Sequence, residues 1–190
     1  MSRVSLPTTR FTVDEVTRLV EADALGTDRV ELINGRIYRM PPQGAPHMLA
    51  VTRAVRALSR VAARTDWVIG QGTLRLNRYS APDPDVLWLP VPEGTPVHQW
   101  AGPVLLIEVS DTTYRKDSGV KLRMYACHNI AEYWIENLRA DRIEVYRRPQ
   151  NPTGRLRDCH YASVEHFGRG RSVPVAARPG VTLSVDELLP

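Results

Sequence analysis

Two acidic residues, Asp85 and Glu108, occupy strand-like segments in which a carboxylate is unusual. Glu108 interrupts the apolar run at residues 104–109, and a carboxylate in a buried strand is costly unless it is paired or binds a cation. Asp85 directly precedes the apolar segment at residues 86–89. If the two strands are neighbours, these carboxylates form an oxygen site suited to Mg²⁺ or Mn²⁺. The alternatives are that Glu108 pairs with an arginine and that Asp85 caps a turn after Pro84.

Lysine is scarce in this chain, and its two copies are close in sequence. Of the 25 basic residues, Lys116 and Lys121 are the lysines and the remaining 23 are arginines, a bias that chance could also produce. Lysine is a compact charge whose pKa responds to its surroundings, whereas arginine stays protonated. Lys121 follows Asp117 by four residues, which places both on one face of a predicted helix. They form either a surface ion pair or a group that reaches back toward Glu108.

The N-terminal elements follow from short local signals. A capping box from Thr12 to Glu15 predicts a helix that extends to about residue 23. Asn34-Gly35, between strand-like residues 30–33 and 36–40, predicts a β-hairpin. An amphipathic helix is expected over residues 47–64. Its second face carries a row of arginines, which is either a phosphate-contacting stripe or a solvated helix face.

The remaining elements alternate between strands and helices. Strands are expected at residues 67–69, 73–76, 86–89 and 104–109, with a proline-rich loop over residues 90–103, a helix over residues 117–127, a second hairpin with strands at residues 131–137 and 142–147, and short strands in the tail. The sequence shows no repeats and no linker. We therefore expect one mixed α/β domain over residues 1–190.

Composition limits the partners and the location of the protein. The net charge is +4, and residues 139–171 contain eight arginines against four acidic residues, which permits a polyanionic partner without establishing one. The sequence has no apolar run long enough to span a bilayer and no signal-peptide core at its start, so no membrane association is expected. Cys127 and Cys159 are distant in sequence, do not indicate a disulfide framework and lack the CxxC spacing of metal sites, which is consistent with a reducing cytoplasm.

Taken in order, the motifs resemble those of the Uma-type putative restriction endonucleases, a branch of the PD-(D/E)XK nuclease superfamily. The resemblance extends from about Phe11 to the tail at residues 183–189. The matching segments are Val30-Glu31-Leu-Ile-Asn-Gly35, Pro84-Asp85-Val86, Ile107-Glu108-Val109-Ser110-Asp111, Asp117-Ser-Gly119-Val-Lys121-Leu122, Glu132-Tyr-Trp-Ile135 and Glu144-Val-Tyr146. The resemblance implies a restriction-endonuclease-like core. Such a core has a central mixed β-sheet flanked by helices, here with an N-terminal hairpin and C-terminal β extensions.

The resemblance also implies a role for each matching residue. Asp85 and Glu108 would be metal ligands, with the Val109 carbonyl as a third candidate. The usual E-x-K lysine position holds Ser110, so Lys121 on the following helix would act in place of that lysine. Glu31 would be an accessory carboxylate that positions the metal or its water. His47 and Gln71 fall near positions that could line the pocket, and Asp117 would orient Lys121.

The implied activity is a Mg²⁺- or Mn²⁺-dependent endonuclease that hydrolyses DNA phosphodiester bonds, with a homodimer expected by analogy. One alternative is a catalytically inactive nuclease fold that binds nucleic acid or another protein. The presence of Glu31, Asp85, Glu108 and Lys121 together argues against such decay. Another alternative is a different phosphoester or nucleotide hydrolase using the same metal site. The sequence has no glycine-rich phosphate loop and no GxSxG or HExxH motif.

Overall fold

The computed structural model describes residues 9–26, 28–91, 94 and 102–190, in two compact units. The first unit comprises residues 1–41 and 73–82, and the second comprises residues 42–72 and 83–190. Most of the proline-rich loop predicted at residues 90–103 lies outside the described residues. The single domain expected from the sequence remains a prediction.

The helices and strands follow the predicted alternation. The helices are α1 (Val13–Glu21), α2 (Ala45–Val61), α3 (Tyr114–Lys116), α4 (Leu122–Cys127) and α5 (Val185–Leu188). The strands are β1 (Val30–Ile33), β2 (Arg36–Arg39), β3 (Asp66–Gly70), β4 (Val86–Pro90), β5 (Leu105–Ser110), β6 (Glu132–Asn137), β7 (Arg142–Gln150), β8 (His160–Gly168), β9 (Ser172–Pro174) and β10 (Thr182–Ser184). A π-helical turn, Asp117–Lys121, joins α3 to α4, and a short 3₁₀ turn covers Leu156–Asp158. No helix in the described part of the chain combines the length and apolar character needed to cross a membrane.

The first unit confirms two local predictions. The Thr12 hydroxyl accepts a hydrogen bond from the Glu15 amide at 3.2 Å, and a Glu15 carboxylate oxygen accepts one from the Thr12 amide at 2.7 Å. This reciprocal capping box starts α1. Strands β1 and β2 pair antiparallel across Asn34 and Gly35, which have φ values of 50° and 78°. Both residues adopt the left-handed backbone that a tight two-residue hairpin requires.

The prediction of a strand at residues 73–76 is wrong, because these residues form a loop in the first unit. Their amides bond locally: Leu74 donates to the carbonyl of Pro82 at 2.9 Å, and Leu76 donates to that of Ser80 at 3.0 Å. Pro82 has no amide hydrogen with which to return a hydrogen bond. A regular antiparallel ladder therefore cannot form along this segment.

The second unit contains a six-stranded sheet in the order β3-β4-β5-β6-β7-β8. Only the β5–β6 pair is parallel among these neighbours, and the other four pairs are antiparallel. The predicted mixed sheet is thus confirmed. Parallel neighbours need a crossover connection, and here the segment from α3 through the π-helical turn to α4 provides it. This crossover brings Asp117 and Lys121 over the sheet.

The two faces of this sheet have different partners. Alternate residues of β5 face opposite ways, so Ile107 and Val109 join the apolar core formed with α2 and α5, while Glu108 lies on the other face with α4. The arginine row on α2 contributes to this packing. Arg53 donates to the carbonyl of Leu189, and Arg60 pairs with Glu187 at 3.1 Å. These two arginines contact the C-terminal segment, but Arg56 and Arg60 are exposed, as on a solvated helix face.

Cys127 and Cys159 form a disulfide, so the prediction that they do not belong to a disulfide framework is wrong. They are 32 residues apart in sequence, but their Cα atoms are 5.2 Å apart. Cys127 ends α4, and α4 packs against β8, which begins just after Cys159. Sequence separation could not reveal this proximity, because the packing of the crossover on the sheet creates it. Since disulfides are typical of oxidising compartments, the cysteines do not support a reducing location.

Candidate active site

The predicted metal ligands lie at the edge of the sheet where β4 begins and β5 ends. Val86 of β4 pairs with Ile107 of β5, so Asp85, one residue earlier in the antiparallel strand, reaches the end of β5 that carries Glu108 and Val109. The Asp85 Oδ2 atom accepts a hydrogen bond from the Val109 amide at 2.8 Å. The two strands that carry Asp85 and Glu108 are therefore neighbours, as the predicted metal site requires.

Asp85 is buried and is held by the first turn of α2. Its Oδ1 atom lies 3.0 Å from Nε2 of His47, whose side chain is 13% exposed. Burial lowers the pKa of His47, but the hydrogen bond to Asp85, the charge of Asp85 and a hydrogen bond to the backbone of Val109 outweigh burial and leave this pKa above its ordinary value. The geometry thus places the imidazole against Asp85 and the backbone of Val109, the two groups proposed as metal ligands.

The raised pKa of His47 predicts a pH-dependent contribution to stability. A group whose pKa is higher in the folded state stabilises the fold below its unfolded pKa, near 6.5, and loses that effect as pH rises through the folded value. We expect His47→Gln to lower the free energy of unfolding by roughly 1–3 kcal/mol at pH 6, with a smaller deficit at pH 9. Urea denaturation of the metal-free protein measures both values. His160→Gln, on exposed strand β8, is the control, and an equal deficit at both pH values would contradict the prediction.

Glu108 is buried on the face of β5 that packs against α4, opposite to the face covered by α2. It receives two hydrogen bonds from the crossover. Lys121 Nζ lies 2.8 Å from Glu108 Oε1, and the Tyr125 hydroxyl donates to the same oxygen at 2.6 Å. The side chains of Lys121 and Glu108 are 1% and 4% exposed. Lys121 therefore points into the protein toward the acidic strand. Tyr125 was missed by sequence reasoning, although its position four residues after Lys121 on the same helix was an available signal.

Asp117 and Ser110 organise the start of the crossover. The Ser110 hydroxyl donates to Asp117 Oδ2 at 2.7 Å, and the Thr113 hydroxyl donates to the same oxygen. Burial raises the pKa of Asp117, while the charge of Lys121 and these hydroxyl donors oppose the rise. Ser110, which occupies the usual lysine position, thus anchors the π-helical turn that ends at Lys121. π-helical turns inside helices are frequent at functional sites.

The remaining predicted residues have different settings. Glu31 is buried on β1 in the first unit, opposite Tyr38. Its accessory role stays a prediction. Gln71 belongs to the second unit, where its amide donates to the backbone carbonyl of Asp85 at 2.9 Å. The Gln71 side chain donates to Gln43 at 2.6 Å. Gln71 therefore supports the backbone at Asp85 while its side chain is engaged elsewhere.

Glu136 of β6 is a buried carboxyl that sequence reasoning missed. Its exposure is 0%, and neither carboxyl oxygen has a hydrogen-bond partner among the described residues. It pairs in register with Val109 of β5. Burial raises the pKa of Glu136 well above its usual range, and the charge of Asp85 adds to the rise. The signal that singled out Glu108, an acid within an apolar strand, was also present here.

The donor set fits a hard, hydrated divalent cation. Asp85, Glu108 and Val109 lie at the adjoining ends of β4 and β5, and Glu136 on the neighbouring strand β6 has two buried oxygens without partners among the described residues. Within those residues, no three His, Cys, Asp or Glu side chains form a cluster that could hold a metal by themselves. A cation that keeps several waters and takes one or two carboxylates, as Mg²⁺ does, suits this arrangement better than a zinc site with four protein ligands.

Comparisons with known proteins identify a family and a shared fold. The model of the Uma2 family, described as "Putative restriction endonuclease", matches residues 14–186. Among solved structures, the chain is similar to a putative nuclease belonging to DUF820 from Anabaena variabilis, with 18% identity and a TM-score of 0.66. That likeness covers 94% of this chain and 97% of the other, and at this identity it shows a shared fold. No curated protein matches the chain.

Proposed function

Because the chain belongs to the Uma2 family of putative restriction endonucleases, we propose that it is a divalent-metal-dependent endonuclease that hydrolyses DNA phosphodiester bonds. The family predicted from the ordered motifs is confirmed, and both the family and the nuclease neighbour support nuclease activity. The observation that carries the finer proposal is that two buried carboxylates on adjacent strands are each held by a basic side chain. Asp85 is bound by His47, and Glu108 is bound by Lys121, at the ends of adjacent strands.

The metal site would be formed by Asp85 and Glu108 with the Val109 carbonyl. When bound, Mg²⁺ or Mn²⁺ neutralises the scissile phosphate and lowers the pKa of the attacking water. Asp85 is already oriented by the Val109 amide and by His47. Glu108 is oriented by Tyr125 as well as by Lys121. Such preorganised ligands need little rearrangement before the reaction.

Lys121 would act in place of the usual motif lysine. Its ammonium group would orient the attacking water and stabilise the negative charge that develops on the phosphate. Asp117 would position Lys121 electrostatically, and Ser110 would hold Asp117 in place. The lysine therefore approaches the acidic strand from the crossover helix rather than from the strand itself. Glu31 would serve as an accessory carboxylate.

The choice of DNA as substrate rests on the family rather than on the arginine-rich stretch. Several arginines of residues 139–171 pair with acids of the same chain, as in the contacts Arg142–Glu144, Arg147–Glu132 and Arg169–Asp141. These pairs offset much of the local positive charge. DNA contacts would come from other surfaces. The homodimer and the cytoplasmic location remain predictions from the sequence.

A cleavage assay tests the proposal directly. Purified protein is incubated with supercoiled plasmid, linear duplex DNA or RNA in Mg²⁺, Mn²⁺, Ca²⁺ or EDTA. We expect nicked or linear DNA products in Mg²⁺ or Mn²⁺ and none in EDTA. DNA binding without cleavage in any metal would favour the inactive nucleic-acid-binding module. Hydrolysis of nucleotides or simple phosphodiesters without DNA cleavage would favour a different phosphoester hydrolase.

A further inference from the structure

The carboxyl group of Glu136 is buried without a hydrogen-bond donor among the described residues. The other buried acids on β6 and β7 do have such donors. Glu132, four residues earlier and on the same face of β6, accepts hydrogen bonds from Arg147, Trp134 and the Ala176 amide. Glu144 of β7 is surrounded by hydroxyl, amide and guanidinium donors. Neither oxygen of Glu136 has such a donor among the described residues, and its exposure is 0%.

An unsatisfied buried polar group of this kind is unfavourable. It has lost its hydrogen bonds to water on folding and gains none from the described residues in return. The immediate strand neighbours, Trp134 and Val109, are buried apolar residues of the same core. An apolar residue at position 136 would therefore be the simpler choice for stability. Such unsatisfied groups are rare in folded proteins, and a catalytic role or a bound ion or water is among the explanations for them.

The position of Glu136 points to the ligand. Glu136 pairs in register with Val109, and the Val109 amide holds the Asp85 carboxylate. Burial raises the pKa of Glu136 well above its usual range, and the negative charge of Asp85 adds to the rise. The α2 face of the sheet carries Glu136, whereas Lys121 approaches Glu108 from the α4 face. The basic side chains of the site, His47 and Lys121, are already bound to the other two acids.

We propose that Glu136 is a positioning carboxylate of the metal centre, which accepts hydrogen bonds from water molecules of the hydrated cation on its Asp85 side. This inference rests on the proposed function and extends it to a residue outside the family motifs quoted above. Outer carboxylates of this kind commonly contribute 10–100-fold to metal affinity. Compared with an apolar residue at this position, Glu136 would make the metal-free protein less stable and the metal-loaded protein more stable.

Metal binding by the full chain tests this role without requiring catalysis. Mn²⁺ affinity is measured by calorimetry and by electron paramagnetic resonance for the wild type, Glu136→Gln, Glu136→Met and Asp85→Asn. Glu132→Gln is the matched control, because Glu132 is equally buried on the same face of β6 but fully hydrogen-bonded. Thermal unfolding in EDTA is measured for each protein. If Glu136→Gln folds poorly, Glu136→Met supplies the same comparison with an apolar side chain.

We expect both Glu136 variants to bind Mn²⁺ about 10–100-fold more weakly. In EDTA, Glu136→Met should raise the Tm by roughly 2–10 °C, whereas Glu132→Gln should lower the Tm and retain Mn²⁺ affinity. Wild-type Mn²⁺ affinity in both Glu136 variants, with binding lost in Asp85→Asn, would overturn the role of Glu136 alone. Absence of Mn²⁺ binding by the wild type would overturn the metal centre and Glu136 together.

Discussion

Asp85→Asn is expected to reduce metal-dependent DNA cleavage roughly 1,000-fold or more, since loss of several kcal/mol of transition-state stabilisation has an effect of this size. The substitution keeps the shape of the side chain and leaves an amide that cannot supply the negative charge a divalent cation needs. Glu108→Gln should have a comparable effect for the same reason. Single-turnover nicking of supercoiled plasmid in Mg²⁺ gives the rates, and circular dichroism checks that the variants fold.

Asp111→Asn is the matched control for this experiment. Asp111 follows β5 directly and pairs with Arg139 at the surface at 3.3 Å, so its substitution removes a nearby carboxylate that lies outside the proposed site. We expect cleavage within about twofold of the wild type, because exposed ion pairs of this kind contribute little. Unchanged cleavage by Asp85→Asn would remove Asp85 from the site, and equal loss in Asp111→Asn would mean that the assay reports general damage.

Lys121→Met should abolish cleavage and also lower the free energy of unfolding by about 3–5 kcal/mol, because removal of one partner leaves a buried, uncompensated charge. The pair is almost completely buried, with side-chain exposures of 1% for Lys121 and 4% for Glu108. Tyr125 would remain as a donor to Glu108, but one hydroxyl does not neutralise a carboxylate. Urea denaturation in EDTA measures the stability change, and plasmid nicking in Mg²⁺ measures activity.

The double variant Glu108→Gln with Lys121→Met separates structure from chemistry. Replacement of both members of a buried ion pair is often close to neutral, so the double variant should recover most of the lost stability and none of the activity. Lys116→Met, which replaces the other lysine of the chain, is the matched control and should retain cleavage. Normal cleavage by Lys121→Met would show that Lys121 does not act as the motif lysine. Loss in Lys116→Met alone would assign that role to Lys116.

The sequence was sufficient for features that depend on neighbouring residues. The Asn34-Gly35 turn and the Thr12 capping box form because a few adjacent residues favour one backbone conformation, and both are confirmed. The buried strand that carries Glu108 was also evident, since a long apolar run can hardly remain on a surface. The order of these motifs along the chain was enough to predict the family.

Local signals failed where the outcome depended on a partner segment. Residues 73–76 have the composition of a strand, but their bonding partner includes Pro82, so no ladder forms. The helix predicted over residues 117–127 begins as a π-helical turn, with its first carboxylate held by Ser110 from the end of β5. The pairing of Cys127 with Cys159 likewise depends on how α4 packs on the sheet.

The sequence alone therefore determined which residues could do chemistry, and tertiary structure decided which of them meet. Asp85 and Glu108 were recognisable because a carboxylate in an apolar strand needs compensation, which is a property of the segment itself. The contacts of Asp85 with His47, and of Glu108 with Lys121 and Tyr125, arise because strand order and crossover packing bring distant segments together. The difference between Glu132 and Glu136, two acids on one strand face, is of the same kind, because only their three-dimensional neighbours distinguish a satisfied carboxylate from an unsatisfied one.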